Sequence, residues 1–295
     1  MNILITGVNG NIGSELYSSL KDKFTILSMS FNQGNMKKNF TKLDLTNNYQ
    51  VLDFTKKNKN IDILIFLVGL AHSKGKKKEY IDFKKVNYDT LVNLLSSFKR
   101  NKSIPSKIIF ASTISIYGER LDQNIYKENL VGKPYSPYAA TKLKAEEYLL
   151  NNFSPNTWIL RFAPVYSSDF LLNINRRIRM GRRFYRIGKG TRKLSLCNIE
   201  NIGSVVEAII NDKVPEGIYN LSDSKEYTYD ELLRWQKANW VFPIPMFVVK
   251  LLYYLGKFIN STFLKENTVK VISDNIFPSD KIRSFIDLPA TINDV

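Results

Sequence analysis

The chain of 295 residues carries 43 Lys and Arg against 27 Asp and Glu, which gives a formal net charge of +16. Its single cysteine, Cys197, excludes an internal disulfide, and with one histidine, His72, no cluster with metal-ligand spacing forms, so we expect no metal. The basic residues are scattered and no recognised nucleic-acid module is present, so we expect no nucleic-acid partner.

The chain opens with a predicted strand, a glycine-rich turn and a helix. Residues 2–6 form an apolar run of strand length, and apolar positions recur at helical spacing over 12–20. Between them, Gly7 suits a tight turn, Gly10 lets a pyrophosphate approach the backbone, and Gly13 lets the helix lie close to the strand. The N–H groups at the start of the helix would then point at phosphates. This order predicts a dinucleotide-binding loop.

Strand-like and helix-like segments alternate after this loop. Buried strands are predicted at 24–29, 61–68, 107–112 and 158–163, and helices at 86–98 and 137–150. The alternation predicts an α/β fold with a parallel, doubly wound sheet. Ligands of such sheets lie beyond the carboxyl ends of the strands, and Gly7, Gly69 and Thr113 all follow a strand end. We therefore expect these residues to converge on one site.

The end of the second strand bears on the choice of cofactor. This position normally carries an acid that binds the adenosine ribose of NAD, but residues 26–32 contain neither Asp nor Glu. Ser28 or Ser30 could accept either form of the ribose, and the neighbouring Lys37 and Lys38 could meet a 2′-phosphate. The sequence thus predicts NAD or NADP.

Tyr138 and Lys142 lie four residues apart at the start of the helix predicted over 137–150, with Ser136 as its N-cap. Positions i and i+4 share a helix face, so the Lys142 ammonium can stand near the phenolate of Tyr138. For Tyr138 to act as a base, its pKa must fall by about 3 units from near 10. Combined with the glycine loop, this pair predicts a nicotinamide-dependent oxidoreductase.

With these motifs, the chain resembles the NAD-dependent nucleotide-sugar epimerase/dehydratase branch of the extended short-chain dehydrogenase/reductase superfamily. Besides the loop and the Tyr/Lys pair, the resemblance includes the segments 43–45, 68–72, 86–90, 111–118 and 161–166. It implies a Rossmann-type domain over 1–163 with a return strand near 192–222. Residues 164–190 and 224–295 would form a smaller substrate-binding lobe.

The resemblance also implies site residues. Catalysis would fall on Thr113, which hydrogen-bonds to the substrate oxygen, and on Tyr138 and Lys142. Cofactor contacts are expected at Gly7, Asn9, Gly10, Asn11, Ile12, Gly13, Ser28, Ser30, Asp44, Leu45, Val68, Gly69, Leu70, Asn87, Ala111, Tyr138, Lys142, Phe162, Ala163 and Val165. Substrate contacts are expected at His72, Thr113, Arg176, Arg183 and Arg192.

The two residues after Thr113 reduce the number of reactions that the resemblance allows. Dehydratases of this branch carry an Asp-Glu pair there, whereas this chain has Ile114 and Ser115, which disfavours a 4,6-dehydratase. We expect an NAD(P)-dependent C4 epimerase in the synthesis of a surface polysaccharide or glycoconjugate. A 4-keto-sugar reductase, an epimerase of a polyprenyl-diphosphate-linked sugar, and a non-catalytic cofactor-sensing protein remain alternatives.

An arginine-rich run over 176–186 indicates how the substrate is held. Guanidinium groups suit diphosphates because each can bind two oxygens at once. Relatives carry a phosphate-binding arginine where alignment places Leu194, so Arg192 or Lys193 would serve instead. The expected substrate is a nucleotide sugar or a lipid-linked sugar diphosphate.

The apolar stretch over 247–259 is interrupted by Lys250 and Lys257. This pattern, with two prolines just before it, predicts a helix of the substrate lobe rather than a transmembrane segment. Apolar surface flanked by basic residues also suits an anionic membrane, so peripheral membrane contact stays open, as does a homodimer. Because no signal peptide precedes the first strand, we expect a cytoplasmic protein, with any membrane contact at the inner face.

Overall fold

The computed structural model describes residues 1–33, 38–71, 79–118 and 120–295. The strands are β1 (Asn2–Thr6), β2 (Thr25–Ser30), β3 (Phe40–Lys42), β4 (Ile63–Phe66), β5 (Lys107–Thr113), β6 (Thr157–Phe162), β7 (Val165–Tyr166), β8 (Arg179–Met180), β9 (Arg183–Ile187), β10 (Lys193–Leu194), β11 (Cys197–Asn198), β12 (Gly217–Leu221), β13 (Tyr227–Thr228) and β14 (Val241–Ile244).

The α-helices are α1 (Asn11–Leu20), α2 (Asn48–Lys57), α3 (Tyr80–Lys84), α4 (Thr90–Arg100), α5 (Pro137–Phe153), α6 (Leu172–Ile178), α7 (Ile199–Ile210), α8 (Tyr229–Trp235), α9 (Met246–Phe258), α10 (Thr262–Ile272) and α11 (Asp280–Arg283). A π-helix covers Lys85–Asp89, and 3-10 helices cover Ile114–Tyr117, Ser154–Asn156 and Ile292–Asp294.

The largest sheet has seven strands in the order β12-β6-β5-β4-β1-β2-β3. The pairs β1–β2, β2–β3, β1–β4 and β4–β5 are parallel. Strands β4 and β5 are buried along their whole length, as expected where helices cover both faces of a sheet. The strand order reverses between β1 and β4, which creates the switch point where such sheets bind ligands.

Helix α4 shows how the sequence pattern builds the layer against this sheet. Leu91, Leu94, Leu95 and Phe98 lie at positions i, i+3, i+4 and i+7, and all four are fully buried. They share one apolar core with strand residues such as Phe110. The apolar spacing within α4 therefore determines which face of the helix packs in the core with the sheet.

The chain forms two compact units. The first contains residues 1–113, 137–161 and 202–219, and the second contains residues 114–136, 162–201 and 220–295. The second unit has a core of its own around Tyr166, Leu196 and Tyr227. Residues 114–136 belong to the second unit, whereas the family resemblance implies one domain over 1–163.

The predicted doubly wound parallel sheet is confirmed. The predicted strands correspond to β2, β4, β5 and β6, with ends that differ by at most two residues. The helix predicted over 137–150 continues to Phe153 as α5. The helix predicted over 86–98 differs more, because the π-helix replaces its first turn before α4 begins at Thr90.

The apolar stretch predicted as a helix forms α9 of the second unit, which is 13 residues long. None of the helices in the described part of the chain combines the length and the apolar character needed to cross a bilayer.

Candidate active site

The glycine loop joins β1 to α1. Gly7 has a φ of +72°, a conformation that residues with a side chain rarely adopt. A Cβ atom at Gly13 would lie 2.5 Å from the carbonyl oxygen of Gly7, so α1 begins closer to the loop than any side chain allows. Gly10 is exposed, and no described side chain caps the start of α1, where Asn11 and Ile12 lie. This cradle fits the pyrophosphate of a dinucleotide, bound by backbone N–H groups.

The segment after β2 is tied to the glycine loop. The Asn9 side-chain amide donates to the carbonyl of Asn32 at 3.0 Å. At the end of β2, Ser28 is buried and Ser30 is half-buried. Lys37 lies outside the described residues. Asn9 therefore holds the loop beside the strand end where NAD places its adenosine ribose in sheets of this type.

Lys142 occupies a buried position at the carboxyl ends of two neighbouring strands. Its Nζ donates to the carbonyl of Ala111 at 2.8 Å and to that of Val68 at 3.3 Å. It also lies 4.6 Å from the centre of the Phe110 ring. A Cβ atom at Gly69 would be 3.2 Å from this Nζ, so the glycine permits the close approach. Burial lowers the pKa of Lys142 to about 7.

Asn87 fixes the segment that follows β4. It lies inside the π-helix and is fully buried. Its Oδ1 accepts from the backbone N–H of Leu70 at 2.6 Å, and its Nδ2 donates to the Thr141 hydroxyl at 3.0 Å. Asn87 thus joins the loop after β4 to α5, one residue before Lys142. π-helical turns occur frequently at functional sites.

A buried acid lies one helical turn beyond Lys142. Glu146 accepts a short hydrogen bond from the Ser112 hydroxyl and forms an ion pair with Arg161, whose Nη2 lies 2.7 Å from Oε2. The Arg161 and Glu146 side chains are almost completely buried. The negative charge of Glu146 raises the pKa of Lys142, which offsets part of the effect of burial.

Tyr138 is half-buried, and its phenol is hydrogen-bonded to the side chain of Thr113. Burial raises the pKa of Tyr138, and the hydrogen bond to Thr113 lowers it in part. The net direction is upward, so these protein groups do not supply the lowering that a tyrosine base needs. That lowering has to come from cations brought near the phenolate.

The second unit contains a pocket with three arginines. Its lining residues are Arg177, Tyr185, Arg186, Ile187, Gly190, Arg192, Tyr229 and Val271. Arg192 was expected at the substrate, but Arg176 and Arg183 do not line this pocket. Instead, Arg177 from α6 and Arg186 from β9 do so.

An adjoining pocket of the same unit shares Arg177 and Tyr229 with the first. Its lining residues are Ile114, Pro164, Arg177, Leu194, Ser195, Tyr229, Lys270, Asn275 and Phe277. Ile114 directly follows Thr113 in the chain. The described side chains around these two pockets therefore include four cations: Arg177, Arg186, Arg192 and Lys270.

The other predicted residues have more ordinary surroundings. Asp44 accepts from the backbone and hydroxyl of Thr46, and Leu45 is buried. Phe162, Ala163 and Val165 belong to the second unit. His72 lies outside the described residues.

Within the part of the chain that the structure describes, no group of three or more His, Cys, Asp and Glu residues could hold a metal ion.

The sequence pattern did not single out Glu146, and within the arginine run over 176–186 it did not select Arg177 or Arg186. Glu146 continues the i, i+4 spacing of Tyr138 and Lys142, and this spacing could have identified it. Arg177 and Arg186 carry no such signal, because a run rich in arginine does not reveal which side chains turn toward a pocket.

The model of the NAD dependent epimerase/dehydratase family matches residues 3–222. A relative from Escherichia coli O157:H7 is 23% identical over 79% of this chain and 70% of its own length. It is named N-acetyl-alpha-D-glucosaminyl-diphospho-ditrans,octacis-undecaprenol 4-epimerase. An uncharacterized UDP-glucose epimerase of Bacillus subtilis (strain 168) is 31% identical over 56% of this chain and 57% of its own length.

Solved structures show the same fold. The UDP-glucuronic acid 4-epimerase of Bacillus cereus, crystallised with NAD, matches with a TM-score of 0.73 at 18% identity, over 100% of this chain and 93% of that one. The UDP-glucose 4-epimerase of Thermus thermophilus, also with NAD, matches with a TM-score of 0.71 at 20% identity, over 96% and 92%.

Proposed function

Because this chain belongs to the NAD dependent epimerase/dehydratase family, we propose that it inverts C4 of a nucleotide sugar with Thr113, Tyr138 and Lys142 as catalytic residues. The observation that carries the proposal is the buried Lys142 ammonium at the carboxyl ends of the strands. On the same unit, the phenol of Tyr138 is already hydrogen-bonded to Thr113.

The glycine loop, the segment 68–70 and Lys142 would hold NAD. When bound, NAD accepts a hydride from C4 of the sugar and returns it. Tyr138 would take the proton of the C4 hydroxyl when that carbon is oxidised to the ketone of a 4-keto sugar. Thr113 donates a hydrogen bond to the same oxygen and keeps it in line with Tyr138. Inversion would require reduction of this ketone on its opposite face, and Tyr138 would there give the proton back to the C4 oxygen.

The electrostatics of this site support a role for Lys142 as a positive charge beside Tyr138. Because burial raises the pKa of Tyr138, its phenolate needs a nearby positive charge. Lys142 provides that charge only while it is protonated, and its own pKa is lowered to about 7. Glu146 favours the protonated form of Lys142 by its negative charge. Activity is therefore expected to depend on pH near neutrality.

Arg177, Arg186 and Arg192 would bind the diphosphate of the substrate. The Nη1 of Arg186 lies 3.3 Å from Oδ1 of Asp230, and the Nη1 of Arg192 lies 3.9 Å from Oδ1 of Asp274. Because these ion pairs are long, each guanidinium group keeps part of its positive charge available in the pocket. A guanidinium group binds phosphate oxygens in pairs, which a lysine cannot do.

The carrier of the sugar can be a nucleotide or a polyprenol. The name of the Escherichia coli relative specifies a lipid-linked sugar diphosphate, and that of the Bacillus subtilis relative specifies UDP-glucose. Both carriers present a diphosphate next to the sugar, which is the group that the three arginines recognise. We take the nucleotide sugar as the first substrate to test.

The test begins with the nucleotide released from the denatured protein, which is identified by mass. An epimerase keeps the hydride that it borrows, so we expect stoichiometric NAD. The native protein is then incubated with UDP-hexoses and UDP-N-acetylhexosamines without added cofactor, and inversion at C4 is followed by NMR. The same substrates linked to polyprenyl diphosphate are tested in detergent.

Two outcomes would overturn the proposal. A protein that releases no nucleotide, binds NADPH and reduces 4-keto sugars is a reductase. A protein that binds NAD but turns over neither class of substrate is a sensing protein if NADH appears in its site only by replacing the bound NAD from solution.

A further inference from the structure

Helix α9 of the second unit exposes an apolar stripe. Phe247, Leu251, Tyr254 and Phe258 lie at positions i, i+4, i+7 and i+11, and they are 69%, 66%, 61% and 89% exposed. At about 100° per residue, these four side chains fall within roughly 60° of one another around the helix. The stripe therefore forms one continuous face along the 13 residues of α9.

The opposite face of α9 is the one that holds the helix in place. Val249 and Gly256 are its buried residues, and they lie roughly 180° from the stripe. A Cβ atom at Gly256 would come within 2.7 Å of the Leu264 Cβ and 3.3 Å of the Lys265 nitrogen, so α9 packs directly against α10 there. The orientation of the stripe follows from this packing, because turning it inward would bring side chains into the contact at Gly256.

The exposed apolar residues concentrate in this segment. Of the large apolar side chains that are exposed in the described chain, nine fall within residues 240–259. Trp240 and Phe242 come just before α9, with ring centres 6.3 Å apart, and Ile259 follows it. Such a concentration in one short segment is typical of an interaction surface rather than of ordinary exposed residues.

The charged residues over 232–265 are all positive. Residues 232–265 contain no Asp or Glu, but they contain Arg234, Lys237, Lys250, Lys257 and Lys265. Lys250 and Lys257 are both exposed and lie on the same flank of the stripe, about 60° to 80° from its first residue. An apolar face that contains Tyr254, follows Trp240 in the chain and is bordered by lysines has the chemistry of a helix that lies in the headgroup region of a bilayer.

We propose that the apolar face of α9 docks on an anionic phospholipid surface, with Phe247, Leu251, Tyr254 and Phe258 inserted among the lipids and Lys250 and Lys257 on the headgroups. A second copy of the chain fits this face less well. Pairing two such faces would add the positive charges of both copies, with no acid in residues 232–265 to balance them. This docking does not depend on the proposed reaction, and its test needs no turnover.

The experiment is vesicle flotation with the purified full-length protein. The protein is mixed with vesicles of phosphatidylcholine alone or with one third phosphatidylglycerol, and the floated fraction is measured at low and at high salt. We expect flotation with the anionic vesicles at low salt, and a loss of at least tenfold in the partition coefficient without the anionic lipid. Trp240 is exposed, so its fluorescence should shift to shorter wavelength with anionic vesicles, and W240F should remove that shift.

Two sets of variants separate the parts of the surface. Phe258→Ser removes an aromatic residue that is 89% exposed, and Tyr49→Ser on α2 removes another with the same exposed fraction. We expect roughly tenfold weaker partitioning for Phe258→Ser and no change for Tyr49→Ser. Replacing Lys250 and Lys257 by Gln should weaken binding about tenfold or more, whereas the same change at the exposed Lys56 and Lys59 should not.

Three results would overturn the proposal. The first is a protein that stays in solution with both kinds of vesicle at low salt. The second is flotation that Phe258→Ser and Tyr49→Ser reduce equally. The third is a dimer in analytical ultracentrifugation that Phe258→Ser dissociates, since the face would then be an interface between copies. Circular dichroism and the thermal melting temperature of Phe258→Ser show in each case whether the variant is folded.

Discussion

The two compact units hold their cations in opposite ways. In the first unit, Lys142 is only 3% exposed, and its ammonium donates to backbone carbonyls. In the second unit, the Arg186 and Arg192 side chains are 43% and 47% exposed at the wall of a pocket. A buried lysine can lose its proton near neutral pH, whereas a guanidinium group stays charged throughout the physiological range.

This difference indicates that the two sets of cations suit different tasks. A cation whose charge depends on its surroundings can adjust the pKa of a neighbouring proton acceptor, and cations of permanent charge suit the binding of a diphosphate. Changes in the first unit should therefore affect kcat and its pH dependence, and changes in the arginine pocket should affect KM.

The largest effect is expected for Tyr138→Phe, which removes the proton acceptor and leaves the ring in place. We expect kcat to fall by about 10³-fold, within the usual range for a general acid–base residue, with KM changed by less than about threefold. Steady-state kinetics with the best UDP-sugar would measure this. The amount of bound NAD serves as the control and should match the wild type, and activity that survives the change would remove Tyr138 from the mechanism.

A smaller effect, on the opposite parameter, is expected in the arginine pocket. Arg186→Gln should raise KM by about tenfold or more, the usual effect of losing a hydrogen bond to a charged group, with kcat nearly unchanged. Arg183→Gln is the matched control, because Arg183 lies on the same strand but does not line the pocket. If Arg183→Gln had the larger effect on KM, the pocket would not be the diphosphate site.

The smallest effect concerns the acid that supports Lys142. Since the carboxylate of Glu146 raises the pKa of Lys142, Glu146→Gln should lower it below about 7. The protonated form is then lost at lower pH, so the alkaline limb of the kcat profile should move toward acid and activity at pH 8 should fall several-fold. Glu147→Gln, at the exposed neighbouring position, should leave the profile unchanged. An unmoved profile in Glu146→Gln, with normal NAD content, would show that Lys142 does not need this acid.

Much of the first unit could be predicted from local sequence. The glycine loop depends on backbone geometry that only glycine permits, as at Gly7 and Gly13, and such positions leave a visible pattern. Lys142 and Asn87 were expected at the cofactor, and the structure places them against neighbouring segments at the strand ends. Their roles in binding and catalysis are still predictions.

The arginine pocket could not be predicted in the same way. Strands β8 and β9 are short and are joined by a turn at Gly181, where φ is +61°. Arg183 and Arg186 lie three residues apart on β9, so they point to opposite faces of the strand. The sequence shows this alternation but does not show which face meets the pocket, because packing against α6 and α8 decides it.

The π-helix around Asn87 affects which mutations the protein can tolerate in this segment. A π turn holds one residue more than the α-helical turn it replaces, and it is the less stable of the two. Deleting one residue from Lys85–Asp89 would allow a continuous α-helix from α3 into α4, which favours local stability. It would also rotate Asn87 away from Leu70 and Thr141, and thereby release the loop after β4 from α5. Natural variation should therefore tolerate substitutions on the outer surface of this helix far better than any change in its length.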